Sequence, residues 1–369
     1  MKTIVAFILF YLFSVPLFAQ SNTCWPSFRG NVALTGKTRV NLPENLKLLW
    51  TYKTGDIIKS SPIFCGKSIF VGSNKGFVFS ISAKGKLNWK FKAESSVEAP
   101  PLYLHDIVYI SSNSGMLYAL DAKTGSLKWK YETEGQILGS ASWTFTKDLK
   151  KKLILVGSYD FYLHAVDSET GKVVWKYETD NFINGAPATS ETAAIFGGCD
   201  GFLHLVNLEN GKKQNKIEIG TYIASSPAYE LGKAYFGNYD GGFYCLDLGS
   251  KKTLWKYEGA GGFIGSPAIG DNEIVIGSQD KNLYCFDKKT GKLNWKFPSL
   301  KKIDASPIIA GNKVVLASKD GRVYLLDLKT GKKLWHYEIG KAITATPAVV
   351  KNALIVAGED GNVYYFSGK

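Results

Sequence analysis

Four polar residues occupy positions at which the repeated segments of this chain otherwise carry mostly small or apolar side chains. They are Lys59, Glu98, Asn184 and Asp304, and each lies nine residues after a repeated tryptophan. Carboxylate and amide oxygens are ligands that Ca²⁺ accepts, and a lysine could pair with an anionic ligand. The alternative is a solvated opening lined by ordinary polar residues. These four residues are therefore the candidates for a cofactor-binding site, although no metal site is predicted.

The cysteines do not form an obvious disulfide framework. There are five, an odd number, so at least one thiol has no partner within the chain. Cys245 and Cys285 stand at equivalent repeat positions in alternating apolar segments, which favours small buried hydrophobic residues. Cys24 and Cys65 are the only pair whose bonding merits a test.

The histidines are not arranged for catalysis or metal binding. His164 and His204 replace a tyrosine that recurs in other repeats, and this replacement indicates stacking or packing. The sequence contains no nucleophile–base pair, no metal-ligand cluster and no phosphate-binding glycine loop. No metal site and no catalytic residues are predicted.

The tryptophans reveal a repeat with a period near 40 residues. Seven of the nine share a Leu-x-Trp-like context: Trp50, Trp89, Trp129, Trp175, Trp255, Trp295 and Trp335. Their spacings are 39, 40, 46, 80, 40 and 40 residues, and Asn215 stands at the position missing from the longest gap. A proline follows each position after twelve residues, except in the third unit, which has Ala141. Two markers in register over eight units indicate a propeller or an array.

Each unit is predicted to form four antiparallel strands, named A to D. In residues 303–338, four β-rich runs are separated by Gly-Asn, Asp-Gly and Thr-Gly turns. The last unit ends before its strand D. Residues 46–50 resemble a strand D, but no strands A to C come before them in the sequence. We therefore expect an all-β fold, an eight-bladed β-propeller of four-stranded antiparallel blades. In this propeller the N-terminal strand completes the last blade.

Strand direction sorts the turns of such a ring onto two faces. The A–B and C–D turns share one face, which we call the A–B face, and the B–C turns and D–A links share the other, the D–A face. The chain has 45 Lys and Arg against 32 Asp and Glu, and its C–D turns are rich in lysine. A basic A–B face and a more acidic D–A face are predicted. The alternative is a lysine content that serves solubility alone.

One insertion, residues 143–152, lengthens the A–B turn of the third unit. Its lysines would attract an anionic partner, and its tryptophan would supply an apolar anchor. Local packing of a long turn is the alternative for the tryptophan. The candidate partner-binding residues are Trp143, Lys147, Lys150, Lys151 and Lys152.

The first residues are predicted to be a signal peptide, residues 1–19. Lys2 precedes an apolar run over residues 4–13, which is shorter than the roughly 20 residues that cross a bilayer. Polar residues before Cys24 argue against a lipid anchor. We expect an exported protein, periplasmic or extracellular, without a membrane span. Residues 20–45 would form an N-terminal extension and residues 46–369 the propeller.

Residues 326–335 resemble the tryptophan-docking motif of the pyrroloquinoline-quinone-like propeller repeat, as do residues 120–129, 166–175 and 286–295. The resemblance implies that the tryptophan of one blade packs on the Thr-Gly turn of its neighbour. WD-repeat propellers instead carry Trp-Asp, where this chain has Trp-Lys. The family includes quinone-dependent dehydrogenases and BamB-like scaffold subunits of outer-membrane protein assembly. Residues 25–30 look like the entry to exported bacterial members.

The expected function is that of an exported, non-enzymatic binding or scaffold module. Its partner would be a protein or an anionic polymer of the cell envelope, and it would act as a monomer or as a subunit of a larger complex. No nucleic-acid motif and no cofactor are expected. The alternative is a small pyrroloquinoline-quinone-dependent oxidoreductase that uses Ca²⁺ at the channel mouth. Against it, the resemblance implies large covering loops and adjacent cysteines, which this chain lacks.

Overall fold

The computed structural model describes residues 22–146 and 151–368. The regular structure of these residues consists of β-strands and one 3-10 turn, Phe28–Gly30. The strands form eight sheets, each ordered A-B-C-D from the axis outward. No described helix is long and apolar enough to span a membrane.

The first four blades follow one another along the chain, and the strands of each blade run in the order A to D. Blade 1 contains Ile63–Cys65, Ser68–Gly72, Phe77–Ser82 and Leu87–Lys92; blade 2 contains Leu102–Leu104, Ile107–Ser111, Met116–Asp121 and Leu127–Glu132; blade 3 contains Ser142–Phe145, Lys152–Gly157, Tyr162–Asp167 and Val173–Glu178; blade 4 contains Ala188–Thr189, Ala193–Gly197, Phe202–Asn207 and Lys213–Glu218.

The other four blades have the same strand order. Blade 5 contains Ala228–Glu230, Lys233–Gly237, Gly242–Asp247 and Lys252–Glu258; blade 6 contains Ala268–Ile269, Glu273–Gly277, Asn282–Asp287 and Leu293–Pro298; blade 7 contains Ile308–Ala310, Lys313–Ala317, Arg322–Asp327 and Lys333–Glu338; blade 8 contains Ala348–Val350, Ala353–Ala357, Asn362–Ser367 and Lys47–Lys53.

Blade 8 is completed by the strand from the N-terminal side of the chain. Lys47–Lys53 runs antiparallel to Asn362–Ser367, and Trp50 pairs with Tyr365 in the register. Joining strands from the two ends of the repeat region leaves no open blade, since a sheet that lacks its fourth strand would expose an unpaired edge. The predicted eight-bladed fold and its closure are confirmed.

The inner A strands lie so close together that small residues are required there. A Cβ atom added to Gly139 would stand 2.6 Å from the carbonyl oxygen of Gly185 in the next blade. Hydroxyl groups bridge several of these junctions, because each accepts a hydrogen bond from the backbone of the preceding blade. The donors and acceptors are Ala186 N to Ser226 Oγ, Ser226 N to Ser266 Oγ, Ser266 N to Ser306 Oγ, Ser306 N to Thr346 Oγ1 and Thr346 N to Ser61 Oγ.

Tryptophans lock the outer parts of neighbouring blades together. Trp50 of blade 8 lies against Gly85 in the C–D turn of blade 1, and its indole nitrogen donates to Ala83 O at 3.0 Å. Gly85 has a φ of 76°, and a side chain there would collide with the indole. The other docked pairs are Trp89 with Gly125, Trp129 with Gly171, Trp175 with Gly211, Trp255 with Gly291 and Trp295 with Gly331.

Two of the eight junctions lack this dock. Between blades 4 and 5 the tryptophan is replaced by Asn215. Between blades 7 and 8 Trp335 is present, but strand D of blade 8 comes from the other end of the repeat region, so no C–D turn links strands C and D there. Trp335 instead packs edge-on against Phe366.

Replacement of Trp50 by alanine should lower the free energy of unfolding by about 3 kcal/mol, because it removes a large side chain and a hydrogen bond from the closing junction. Trp335→Ala is the matched control, since that residue has the same repeat position without a glycine dock. Its loss should be roughly half as large. Urea denaturation of both variants measures the difference, and equal losses would contradict a special role for docking.

Candidate functional site

The mouth of the channel on the D–A face is built by a ring of backbone hydrogen bonds. In each blade the second residue of the B–C turn donates its N–H to a carbonyl of the preceding D–A link. This bond fixes the start of strand A relative to the B–C turn, and it thereby positions the predicted site residues at the mouth of the channel. The eight pairs are Asn74 to Ile57, Asn113 to Ser96, Tyr159 to Gln136, Cys199 to Phe182, Tyr239 to Tyr222, Gln279 to Gly262, Lys319 to Lys302 and Glu359 to Ala342.

Two of the four predicted site residues meet at this mouth. Lys59 Nζ lies 3.4 Å from Glu98 Oε2, across the junction of blades 1 and 2. Both side chains are partly exposed, so this ion pair contributes little to stability. It does, however, satisfy each charge with the other.

The other two predicted residues each have a partner in their own blade. Asn184 Nδ2 donates to Cys199 Sγ at 3.0 Å, and Asp304 forms an ion pair with Lys319. The Oδ1 atoms of Asn184 and Asp304 are buried and have no hydrogen-bond partner in the part of the chain that the structure describes. These residues belong to blades 4 and 7, which are three blades apart on the ring.

The four residues therefore do not form one ligand set. Calcium requires six to eight oxygen ligands around one point, whereas the only contact among these four residues is an ion pair. Within residues 22–146 and 151–368, no group of three His, Cys, Asp or Glu side chains could hold a metal ion. These side chains thus do not fit a Ca²⁺-supported quinone, and the expectation that the protein works without one stays a prediction.

The two buried histidines have a more specific role than packing alone. His204 Nε2 lies 2.8 Å from Asp200 Oδ2, and the hydroxyl of Tyr177 lies 3.1 Å from Nδ1. Burial alone would raise the pKa of Asp200, but the hydrogen bond and charge of His204 hold it below its usual value. His164 and Asp160 form the same arrangement in blade 3, with 3.0 Å between their atoms.

These histidines take the place of a tyrosine that reaches the same aspartate in other blades. Tyr324 donates to Asp320 Oδ2 at 2.6 Å, and the hydroxyls of Tyr284 and Tyr364 donate to Asp280 and Asp360. In blades 3, 4, 6, 7 and 8 the B–C turn aspartate is thereby fixed from strand C of its own blade, whereas Asp240 of blade 5 accepts a hydrogen bond from Thr221 instead. These contacts give the aspartates a structural role in their turns.

The channel axis contains a residue that the sequence did not mark as a site. Arg29 is 0 % exposed and donates to Pro307 O at 2.5 Å and to Pro267 O at 2.7 Å. Its Nε has no hydrogen-bond partner among the described residues. Burial lowers the pKa of Arg29 to about 9, because a charged guanidinium loses its water there. Backbone carbonyls of blades 6 and 7 replace part of that water.

Arg29 is held by the N-terminal extension, which runs along the inner edges of the A strands. Within its own blade each A strand pairs only with strand B, so the N–H groups of its inner edge can donate to another segment. The extension carbonyls accept hydrogen bonds from seven blades. The pairs are Lys351 N to Asn22 O, Phe64 N to Trp25 O, Tyr103 N to Pro26 O, Thr189 N to Val32 O, Tyr229 N to Ala33 O, Ile269 N to Thr35 O and Ile309 N to Gly36 O.

Two further features anchor the extension. Cys24 and Cys65 form a disulfide that ties it to blade 1, with a Cα–Cα distance of 4.5 Å. Lys37–Thr38 adds a parallel fifth strand to blade 7. The remaining cysteines, Cys199, Cys245 and Cys285, are free thiols, and the latter two are buried as predicted.

The extension also fills the two junctions that lack a tryptophan dock. Leu34 is buried in one cluster with Ile195 of blade 4 and Phe236 of blade 5. Val40 and Leu42 are buried in another cluster with residues of blades 7 and 8. The only sequence signal for this role was the group of large residues in segment 25–30, which does not fit the repeat.

Three of the predicted partner-binding residues, Trp143, Lys151 and Lys152, belong to the described part of the A–B hairpin of blade 3. The A–B turn of blade 3 is closed by a bond from Thr146 N to Lys151 O, and Lys151 and Lys152 are described. Lys147 and Lys150 lie outside the described residues. Trp143 belongs to strand A and packs edge-on against Phe145, so the local packing that was its alternative role is present. Its role as a partner anchor stays a prediction.

Comparison with protein families gives a match over the whole propeller. The family model of the outer membrane protein assembly factor BamB matches residues 42–257, 163–297 and 199–369. The chain belongs to this family. No curated protein matches the chain.

Solved structures of BamB-like and dehydrogenase propellers share the fold. BamB from Moraxella catarrhalis is 20% identical, with a TM-score of 0.76 over 88% of this chain and 100% of that one. A quinohemoprotein alcohol dehydrogenase from Comamonas testosteroni is 15% identical, with a TM-score of 0.80 over 95% and 82% of the chains. A europium-containing methanol dehydrogenase is 14% identical, with a TM-score of 0.77 over 95% and 99%. At such identities the likeness concerns the fold alone.

Removal of the His204 imidazole should destabilise the protein by about 3 kcal/mol at pH 7, because Asp200 would remain buried and charged without its partner. His204→Phe is the test. The folded-state pKa of Asp200 lies below its unfolded value, so the stability it contributes is present above about pH 4 and is lost as the pH falls. In the variant, burial would raise that pKa, so the stability difference from wild type should grow between about pH 4 and 7.

His204→Tyr is the matched control. Phe196 stacks on His204 as Phe236 stacks on Tyr244, and a tyrosine in blades 6 to 8 donates to the equivalent aspartate. This variant should stay within about 1 kcal/mol of wild type. Thermal melting from pH 4 to 8 measures all three proteins, and parallel curves for wild type and His204→Phe would refute the ion pair.

Proposed function

We propose that this protein is an exported binding or scaffold module of the cell envelope and that it holds its partners on its outer faces. One observation carries the proposal: the N-terminal extension spans the A–B end of the channel, with Arg29 buried on the axis. The polar groups at the D–A end are paired with their own neighbours. A ligand pocket needs walls around a vacant, mostly apolar space, whereas both faces of the ring remain available to macromolecules.

Export and an envelope location are supported by two observations. The Cys24–Cys65 disulfide suits an oxidising compartment outside the cytoplasm. The family model is named for an outer membrane protein assembly factor. Both agree with the signal peptide proposed for residues 1–19.

The A–B face is the proposed surface for an anionic partner. Its seven C–D turns each carry an exposed lysine, such as Lys84, Lys172 and Lys332. Five of these turns are held by an aspartate: in blade 7, Asp327 Oδ1 accepts bonds from both the backbone N–H and the hydroxyl of Thr330, and blades 2, 3, 5 and 6 have an equivalent arrangement. Rigidly placed positive charges raise the encounter rate and give a salt-sensitive affinity.

Two observations favour the alternative oxidoreductase. The buried Oδ1 atoms of Asn184 and Asp304 have no hydrogen-bond partner among the described residues, and two solved dehydrogenases share the fold. These atoms lie three blades apart, however, and neither residue contacts Glu98. We therefore propose a function without a quinone.

Isothermal titration calorimetry with pyrroloquinoline quinone and Ca²⁺ should show no saturable heat at micromolar concentrations. The reason is that Glu98, Asn184 and Asp304 already have partners and do not converge. A double variant with Asn184→Ala and Asp304→Ala serves as the reference. If the wild-type protein bound the quinone tightly and the double variant did not, the oxidoreductase function would be supported and the scaffold function would be contradicted.

Reversal of charge at the insertion should weaken binding to an anionic surface by about tenfold or more and should flatten its salt dependence. The variant carries Lys147, Lys150, Lys151 and Lys152 changed to Glu. Sedimentation with vesicles that contain an anionic lipid measures the affinity at several salt concentrations.

The control makes the same change of charge on the opposite face. It carries Lys53, Lys301, Lys302 and Lys341 changed to Glu, all exposed in the wild type. This variant should keep most of its affinity. Equal losses in both variants would mean that net charge alone matters, and the assignment of the A–B face would be wrong.

A further inference from the structure

Exposed aromatic side chains are concentrated on one half of the D–A face. Phe161 is 40% exposed, Phe182 38%, Tyr222 57% and Tyr239 58%. All four lie in B–C turns or D–A links of blades 3 to 5. Single exposed apolar residues are ordinary, but a continuous group of this kind marks an interaction surface.

Phe161 occupies a backbone position that does not favour it. Its φ is 74°, in the left-handed region that costs a residue with a Cβ more than it costs glycine. Six other blades have glycine at this position, namely Gly76, Gly115, Gly201, Gly241, Gly321 and Gly361. Lys281 of blade 6 is the other exception, with a φ of 74°. An exposed phenylalanine at a glycine position does not serve stability.

The exposed aromatic side chains fall into two groups. Tyr159 and Phe182 are stacked with 4.4 Å between their ring centroids, and Phe161 lies 5.2 Å from Phe182. On the other side, the backbone N–H of Tyr239 donates to Tyr222 O.

Small residues lie between the two aromatic groups. The B–C turn of blade 4 lies between the two aromatic groups and contains Gly198, Cys199 and Gly201. It touches both sides, because Cys199 N donates to Phe182 O and Ile223 N donates to Gly198 O. We call the five rings and this turn the aromatic cleft.

Carboxylates surround the aromatic cleft. The D strands of four successive blades each end in an exposed glutamate, and two more exposed acids follow in the D–A links. They are Glu132, Glu178, Glu218 and Glu258, with Glu134 and Asp180. Asp180 is paired with Lys216. The opposite half of the face carries exposed lysines, including Lys301, Lys302 and Lys341, so charge is unevenly distributed over the face that the sequence predicts to be the more acidic one.

We propose that the aromatic cleft binds a basic polypeptide segment that also carries large apolar side chains. The aromatic walls provide the apolar contact, and their ring faces attract Lys or Arg. Carboxylates placed one per blade steer and align a chain that carries several positive charges. A small cation would meet only one of these carboxylates, and an anionic polymer would be repelled.

This inference goes beyond the proposed function, because it concerns the other face and a partner of opposite charge. The anionic-surface test and the quinone test use neither this cleft nor a basic ligand. Each proposal can therefore fail while the other stands.

Fluorescence anisotropy with three labelled peptides of equal length tests the proposal on the full-length protein. The first peptide alternates Lys or Arg with Leu or Phe. The second replaces every basic residue by Glu, and the third replaces every apolar residue by Ser. Only the first should bind saturably, and its affinity should fall as salt is added.

Phe161→Gly is the decisive variant, because it restores the repeat glycine and should leave the melting temperature unchanged or higher. It should weaken binding of the first peptide by about tenfold or more. Lys281→Gly makes the same kind of restoration in blade 6 and should change the affinity less than about twofold.

Three results would each overturn the proposal. They are no saturable binding of the first peptide, equal binding of the charge-reversed peptide, and unchanged affinity in a folded Phe161→Gly protein. Self-association that Phe161→Gly abolishes would also overturn it, because the cleft would then belong to a second copy of this chain.

Discussion

The contact between a tryptophan of one blade and a glycine in the C–D turn of the next is the constraint on which the rest of the ring depends. At the junction of blades 8 and 1, Trp50 can lie flat on the turn only because Gly85 has no side chain and has a positive φ. The indole nitrogen fixes the angle by its bond to Ala83 O. Repeated around the ring, this contact sets how blades lean on one another and how wide the channel is.

Where the dock is missing, the N-terminal extension supplies packing from the axis. Leu34 lies between blades 4 and 5, and Val40 and Leu42 lie at blades 7 and 8. The same segment places Arg29 on the axis, so one segment both packs into the undocked junctions and fills the channel. The proposed binding surfaces are therefore the two faces of the ring: a lysine-rich A–B face and a D–A face with an aromatic, acidic half.

The repeat made the fold predictable, because the period, the prolines and the incomplete last unit together require eight blades and closure by residues 46–50. It also located Lys59, Glu98, Asn184 and Asp304 on the mouth of the channel. It could not give their partners, since Lys319 and Cys199 come from turns whose side chains follow no repeat rule. The course of residues 22–45 could not be predicted, because this segment has no repeat pattern that would indicate which A strands it contacts. Phe161 could have been found from the sequence, because most of the other repeats have glycine at the equivalent position.

Hydrogen exchange at the amides of Thr189, Tyr229, Ile269 and Ile309 tests most directly whether the extension holds the ring. In the intact protein these N–H groups donate to extension carbonyls and should exchange slowly. In a protein with Arg29→Ala and Leu34→Ala, protection should fall most at Thr189 and Tyr229, beside the junction without a dock. Protection should persist at the amides of Phe64 and Tyr103, which lie at the docked junction of blades 1 and 2. Fast exchange of these four amides in the intact protein, or equal loss at both junctions, would contradict the account.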